Sequence, residues 1–462
     1  MNKRTFFILA LVVALALPTA AMAAAEFSLG GFIKLDAFWD STQEGKNMNT
    51  LILRNNVATD NHGRLKFTSQ GSRFNFTIKG PKLWGATTTG FIEMDFDSAG
   101  DMSVNNNAAT TSNSYIPRLR HAMFRMNWPE TELLFGQYWT FLTIWYPEVL
   151  QDGPAMITGT PTARIPQIRL TQKFLGAWTA GILVGEANGI TDNRVYGATA
   201  VDHTGGESTE APQVQAQLEY KQDLWGKAAW YGKPTPFTAQ LSGGWQRGII
   251  PVTAAGLDTT GENTAAAIVP AYTTRQTYVD PWIVMGSLFI PVIPTHSANL
   301  AGTASLQTSW WIGQGVEAFG FTTFGSQVFR FVGYNAANAA VYDVNLMNRF
   351  GGQVQAQYYF NNQWYVTGFW GFSKAIGVGA FERENGAPNN KAIALSGSNA
   401  TANYHHEFDL ALWYRPIQAF KFGLQYAYAR TNWFQNVSSP ANGVTTNLGE
   451  AHRVEFVGLF FF

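Results

Sequence analysis

Apolar and polar residues alternate with a period of two along almost the whole chain, and few folds tolerate that pattern over this length. Successive side chains of a β-strand point to opposite faces, so each such run reads as a strand with one apolar and one polar face. Ile33, Leu35, Ala37 and Trp39 oppose Lys34, Asp36 and Asp40. Leu65 and Phe67 oppose Arg64, Lys66 and Thr68, and Phe74, Phe76 and Ile78 oppose Arg73, Asn75, Thr77 and Lys79. Ile92, Met94 and Phe96 oppose Glu93, Asp95 and Asp97. Later runs centre on Ile168 and Leu170, Val214 to Tyr220, Val354 to Phe360 and Phe420 to Tyr428.

A soluble β-sandwich alternates too, with its apolar face inward. Composition separates the two. Charged residues are 13% of the chain, about half the usual share, while aromatics are 15%. A barrel that turns its apolar face to lipid has less water-facing surface to cover and uses aromatics at both membrane boundaries. No helix-period segment of useful length interrupts the strands. Turn-rich stretches of uneven length separate them, as at 105–114, 187–212, 253–271 and 387–403. The sequence therefore predicts an all-β, transmembrane antiparallel β-barrel. Roughly 25 to 28 residues per strand and turn give about 16 to 18 strands, of which 16 is the expectation and 18 the alternative. A soluble exported β-protein is the competing reading.

The N-terminus reads as a leader. Lys3 and Arg4 precede the apolar run Phe6 to Leu17, and Ala21-Met22-Ala23 is an A-x-A cleavage site. This is the pattern of a secretory signal peptide over 1–23, too short to span a bilayer. Residues 24–462 then form a single barrel domain with no linker. Cys is absent and the formal net charge is zero. No disulfide framework or thiolate chemistry is available, and a broadly basic nucleic-acid surface is unsupported. At the other end Val454, Phe456, Phe460 and Phe462 share one strand face and Arg453 and Glu455 the other. An edge strand this apolar would aggregate in a soluble protein.

Several short runs occur together in the first third: Gly30-Gly31-Phe32-Ile33-Lys34-Leu35-Asp36, Ser72-Arg73-Phe74, Ile92-Glu93-Met94-Asp95-Phe96, Arg118-Leu119-Arg120-His121-Ala122, Phe135-Gly136-Gln137 followed by Trp139, and Pro166-Gln167-Ile168-Arg169. In composition and order they resemble the DcaP-like trimeric porins of the general porin superfamily. Past Lys173 the chain carries generic barrel pattern and the C-terminal signal. It departs from some relatives in leaving no room for a helical extension before the barrel. The resemblance implies a bacterial outer-membrane location, a homotrimer, recognition of the strand ending at Phe462 by the barrel-assembly machinery, and passage of dicarboxylic acids. It also implies a loop, here Tyr138 to about Arg164, that folds into the lumen and sets its width. An ordinary external loop is the alternative.

A channel of this kind needs no cofactor and does no chemistry; pore diameter and lining charges set its selectivity. The inward-reading cations are Lys34, Arg64, Lys66, Arg73, Arg118, Arg120, Arg169 and Lys173, and Glu148 and Asp152 of the loop are expected opposite them. Such a field favours small polar or anionic solutes. The plainer reading is that these arginines pair with Glu93, Asp95 and Asp97 and hold the wall together. Two further readings compete. Trp310 and Trp311, or Trp364 and Trp370, would form an aromatic slide for sugars, against a role at the membrane boundary. Glu93, Asp95 and Asp97 would serve an outer-membrane hydrolase, against structural pairing across strands. His405 and His406 are neighbours on a strand, so they face opposite ways and make a poor metal pair; a loop–strand boundary is expected there.

Overall fold

The computed structural model describes residues 25–41, 63–97, 116–143, 145–150, 159–161, 163–188, 209–252, 275–321, 327–334, 340–376, 393–395, 402–438 and 445–462. The predicted leader and Asp152 lie outside these residues. Among the described residues sixteen strands form one closed antiparallel barrel. They are β1 (Glu26–Asp40), β2 (Arg64–Thr68 and Arg73–Lys79), β3 (Thr87–Asp95), β4 (Arg118–Asn127), β5 (Thr131–Trp139), β6 (Arg164–Phe174), β7 (Trp178–Gly185) and β8 (Gln213–Gln222). The second half comprises β9 (Phe237–Trp245), β10 (Trp282–Ile293), β11 (Ala304–Gln314), β12 (Asn348–Tyr359), β13 (Trp364–Ile376), β14 (Ala402–Ile417), β15 (Phe420–Ser438) and β16 (Thr445–Phe461). The two halves of β2 pair with the two halves of β1, Thr68 opposite Asp36 and Arg73 opposite Phe32. β16 pairs with β1 from Phe32–Phe461 to Asp40–Arg453. That closure leaves no open edge, which removes the aggregation risk of an apolar terminal strand.

The alternation behaves as the sequence predicts. In β12, Gln353, Gln355 and Gln357 are buried while Ala356 and Tyr358 are exposed. In β14 to β16, Leu410, Leu412, Leu424, Val454 and Phe456 lie bare on the outside. Apolar side chains bare on the exterior and polar ones enclosed is the inverse of a soluble fold, and it suits a lipid-facing wall. Short turns join the strands at one end, as at Trp128–Glu130, Leu175–Ala177 and Gln418–Ala419, and longer connections join them at the other. In barrels of this type the short-turn end faces the periplasm.

Aromatic belts mark both ends. Trp178 meets Tyr220 at 5.0 Å, Trp364 stacks on Tyr414 at 4.4 Å and Phe420 meets Phe460 at 5.0 Å near the short turns. Trp310, Phe350, Trp370 and Tyr404 gather around Phe372 nearer the long loops. His405 and His406 lie within β14, on opposite faces. His405 is buried on the lumen side against Thr431 (Nδ1 to Oγ1, 2.8 Å), so the expected loop–strand boundary falls before them.

Candidate functional site: the lumen constriction

The described parts of the connection between β5 and β6 (140–143, 145–150, 159–161 and 163) lie in the barrel interior. Their course is set by lumen-facing glutamines and hydroxyls that take up their backbone groups. The Phe141 amide donates to Gln215 Oε1 on β8 (3.0 Å), the Glu148 amide to Gln355 Oε1 on β12 (2.5 Å), and the Leu150 amide to Gln425 Oε1 on β15 (2.8 Å). Gln353 Nε2 donates to the Trp145 carbonyl (2.8 Å) and Ser309 Oγ to that of Gly159 (3.1 Å). Irregular backbone is tolerated at membrane depth only when the surrounding protein satisfies its polar groups in this way. Trp145 adds an apolar anchor, stacked on Phe289 at 5.3 Å and edge-on to Trp230 at 5.0 Å.

Trp230 belongs to a small hairpin, Ala228–Trp230 with Lys233–Thr235, in the turn between β8 and β9. Its neighbour Tyr231 donates to the Pro147 carbonyl (3.0 Å), so the hairpin supports the loop from the periplasmic side.

Glu148 lies at the far wall, 2% exposed. Its carboxylate accepts from Lys421 Nζ of β15 (2.5 Å), from the Tyr365 hydroxyl of β13 (2.6 Å) and from Gln357 Nε2. Thr367 Oγ1 donates to its carbonyl (3.0 Å). Glu148 was expected to face the arginine wall. It is instead enclosed and matched by Lys421, because a carboxylate at that depth needs several donors. Its charge therefore anchors the loop.

The arc from β1 to β6 carries the predicted cations. Arg118 forks onto Asp95 (2.9 and 2.8 Å) and reaches Asp97 (3.3 Å). Arg120 binds Glu93 (2.9 Å) and Asp95, and Arg73 lies 3.5 Å from Glu93. Arg169 binds Glu132 (2.9 Å), Arg64 binds Asp40 (3.1 Å), and Lys34 contacts Asp36 (2.9 Å) and the loop carbonyl of Leu150 (3.2 Å). Lys66 shares the lumen-side parity of Arg64 and Thr68. Lys173 sits at the short-turn end of β6, exposed, beyond the band that holds the others.

Three further cations join this lining, and a fourth, Lys421, lies at the far wall. Arg125 binds Glu132 (3.3 Å), Arg453 forks onto Asp40 (2.5 and 3.0 Å), Lys421 holds Glu148, and Arg164 lies over the Trp139 ring at 4.7 Å. Arg125 has a specific reason for being hidden. Glu93 pairs with His121 and Met94 with Leu119, so Arg120 is the extra residue of a β-bulge. A bulge reverses face parity beyond it. Arg118 and Arg120 therefore share the lumen side with His121, Met123 and Arg125. Arg164 makes no ion pair with a carboxylate among the described residues and lies within electrostatic reach of Arg120, Arg118, Asp95 and Arg73.

Along this arc, including the β16 edge, the described residues of the lining include ten cations (Lys34, Arg64, Lys66, Arg73, Arg118, Arg120, Arg125, Arg164, Arg169, Arg453). Seven carboxylates face them (Asp36, Asp40, Glu93, Asp95, Asp97, Glu132, Glu455). Most of these arginines are paired across strands, and among the described residues the cations of this arc outnumber its carboxylates.

The aromatic slide does not form. Trp310, Trp364 and Trp370 lie on the exterior in the aromatic belts, and only Trp311 turns inward, buried against Phe321 at 4.4 Å. The parity of their strands puts them on the lipid side.

A lumen crossed by an anchored loop, within sixteen strands whose exterior is apolar, defines the general-porin fold of outer-membrane barrels. The structure is similar to that of the outer membrane channel DcaP of Acinetobacter baumannii, with a TM-score of 0.59 and 16% identity over 95% of this chain and 98% of that one. It also overlaps an anion-selective porin from Comamonas acidovorans, with a TM-score of 0.49 and 10% identity over 95% of this chain and 100% of that one. No family model and no curated protein matches the sequence.

Proposed function

We propose that this protein is a passive outer-membrane channel for small polar solutes, with a mild preference for anions such as dicarboxylates. The surplus of lining cations over carboxylates along the β1–β6 arc is the observation that carries the reading. Arg164 is its most available member, because the charges of the others are largely matched. A guanidinium stays charged at all working pH and binds carboxylates in a fork, and stacking on Trp139 holds it in place. The channel fold shared with DcaP supports the same class of function. The protein acts without a cofactor, as a homotrimer in the bacterial outer membrane, after its last strand has been engaged by the barrel-assembly machinery.

Liposome swelling tests the solute class. Proteoliposomes in an isotonic dicarboxylate should swell faster than in an isotonic neutral sugar of similar size. Equal rates, or faster entry of the sugar, would exclude the anion preference.

A further inference from the structure

The lipid-facing wall of β13 to β16 carries a group of polar and charged side chains that the solute pathway does not use. On β14 these are Tyr404 and His406, on β15 Tyr426, Tyr428 and Arg430, and on β16 Glu450 and His452. Their parity matches exposed Phe408, Leu424 and Val454, so they point outward. They form one connected patch. Tyr428 OH donates to Glu450 (3.1 Å), Arg430 lies 3.3 Å from Glu450, and Tyr426 OH meets His452 Nδ1 (2.8 Å). Tyr404 OH meets His406 Nδ1 at 3.2 Å. Lys374 of β13 pairs with Tyr404 in the sheet, is exposed, and makes no hydrogen bond or ion pair among the described residues.

The height of the patch is fixed by the strands. Lys374 is ten residues above Trp364, and Tyr404 ten residues above Tyr414, both of the lower belt. A tilted strand climbs roughly 2.5 Å per residue along the barrel axis, so ten residues span about 25 Å, the height of the apolar band. The patch therefore sits at the upper boundary of the bilayer, beside the belt around Phe372 and at the long-loop end. Cations at this depth meet headgroups rather than acyl chains.

We propose that this patch binds the phosphate of an anionic lipid headgroup in the outer leaflet. Lys374 and Arg430 supply charge, and Tyr404, Tyr428 and the two histidines supply donors around it. Glu450 orients Arg430 and Tyr428, leaving the patch net positive. The proposal rests on the membrane-spanning barrel and is independent of solute selectivity.

The test uses the full mature chain in detergent, titrated with diphosphorylated lipid A and with its dephosphorylated form and read by native mass spectrometry. The phosphorylated lipid should bind and the dephosphorylated form should bind much more weakly. One basic residue near an anionic lipid surface is worth roughly a fivefold gain in affinity, so K374Q/R430Q should bind roughly twenty-five-fold more weakly. If R430Q misfolds for want of the Glu450 pair, K374Q alone, which breaks no contact, should lose roughly fivefold. Equal binding of both lipids, or unchanged binding by K374Q, would overturn the proposal. So would complete displacement by inorganic phosphate, which would mark a free-anion site. Loss of trimers with lipid binding intact would make the patch a subunit contact instead.

Discussion

Replacing Lys421 by Met should release the lumen loop while leaving the barrel folded. Lys421 is enclosed, and among the described residues its ammonium supplies the one full positive charge in contact with the Glu148 carboxylate, with Tyr365 and Gln357 as neutral donors. Removing one partner of a buried ion pair costs about 3–5 kcal/mol, because the other charge is left uncompensated. At about 1.4 kcal/mol per factor of ten, the population with the loop detached should rise by roughly two to three and a half orders of magnitude. Replacing both groups, as in E148Q/K421M, should recover much of that loss, since a neutral pair carries no desolvation debt. Hydrogen exchange of the Glu148 and Leu150 amides, which are held by Gln355 and Gln425, reads the detachment directly, and current noise in a planar bilayer reads its effect on the pore. Wild-type exchange at those amides in K421M, with quiet single-channel currents, would refute the anchoring role of Glu148.

Other expectations follow from the same geometry. R164Q should lower anion preference in a salt gradient without changing the folded barrel, since among the described residues the Arg164 side chain makes no hydrogen bond or ion pair and packs on the Trp139 ring. Leu410→Arg, on the lipid face about midway between Tyr404 and Tyr414, should destabilise the barrel by about 2–4 kcal/mol in vesicle unfolding experiments. Gly136 has a φ of +115°, and a Cβ there would meet the Ala122 carbonyl, so G136A should lower the unfolding midpoint by an amount equivalent to about 1–3 kcal/mol. Phe462 exchanges backbone hydrogen bonds with Gly31 (3.2 Å each way), so deleting it should slow barrel assembly in cells, read as unfolded chain on unheated gels.

Most of the fold could be read from strand parity, because a closed barrel imposes one rule on every strand. Ile33 to Trp39, Leu65 and Phe67, and Val354 to Tyr358 fall on the faces their alternation assigns. Parity fails where an extra residue enters. The bulge at Arg120 hid Arg125, which an unbroken count from Arg118 turns toward lipid. Glu148 was visible as a loop carboxylate, but its partner Lys421 is 273 residues away, and nothing in local sequence indicates which wall the loop reaches. The glutamine runs of β8 and β12 and the single Gln425 of β15 carried a usable signal. Gln215, Gln355 and Gln425 combine donor and acceptor in one side chain, and each takes up a loop amide. The tryptophans at 310, 364 and 370 were also legible, since each shares parity with lipid-facing neighbours.

The pore we propose is open and weakly anion-selective. The most direct measurement places the purified protein in a planar bilayer between unequal potassium chloride solutions. Discrete conductance steps, grouped in threes, with a reversal potential of the sign set by chloride are the predicted result. Folded protein that gives no conductance, or a reversal potential set by potassium, would contradict it.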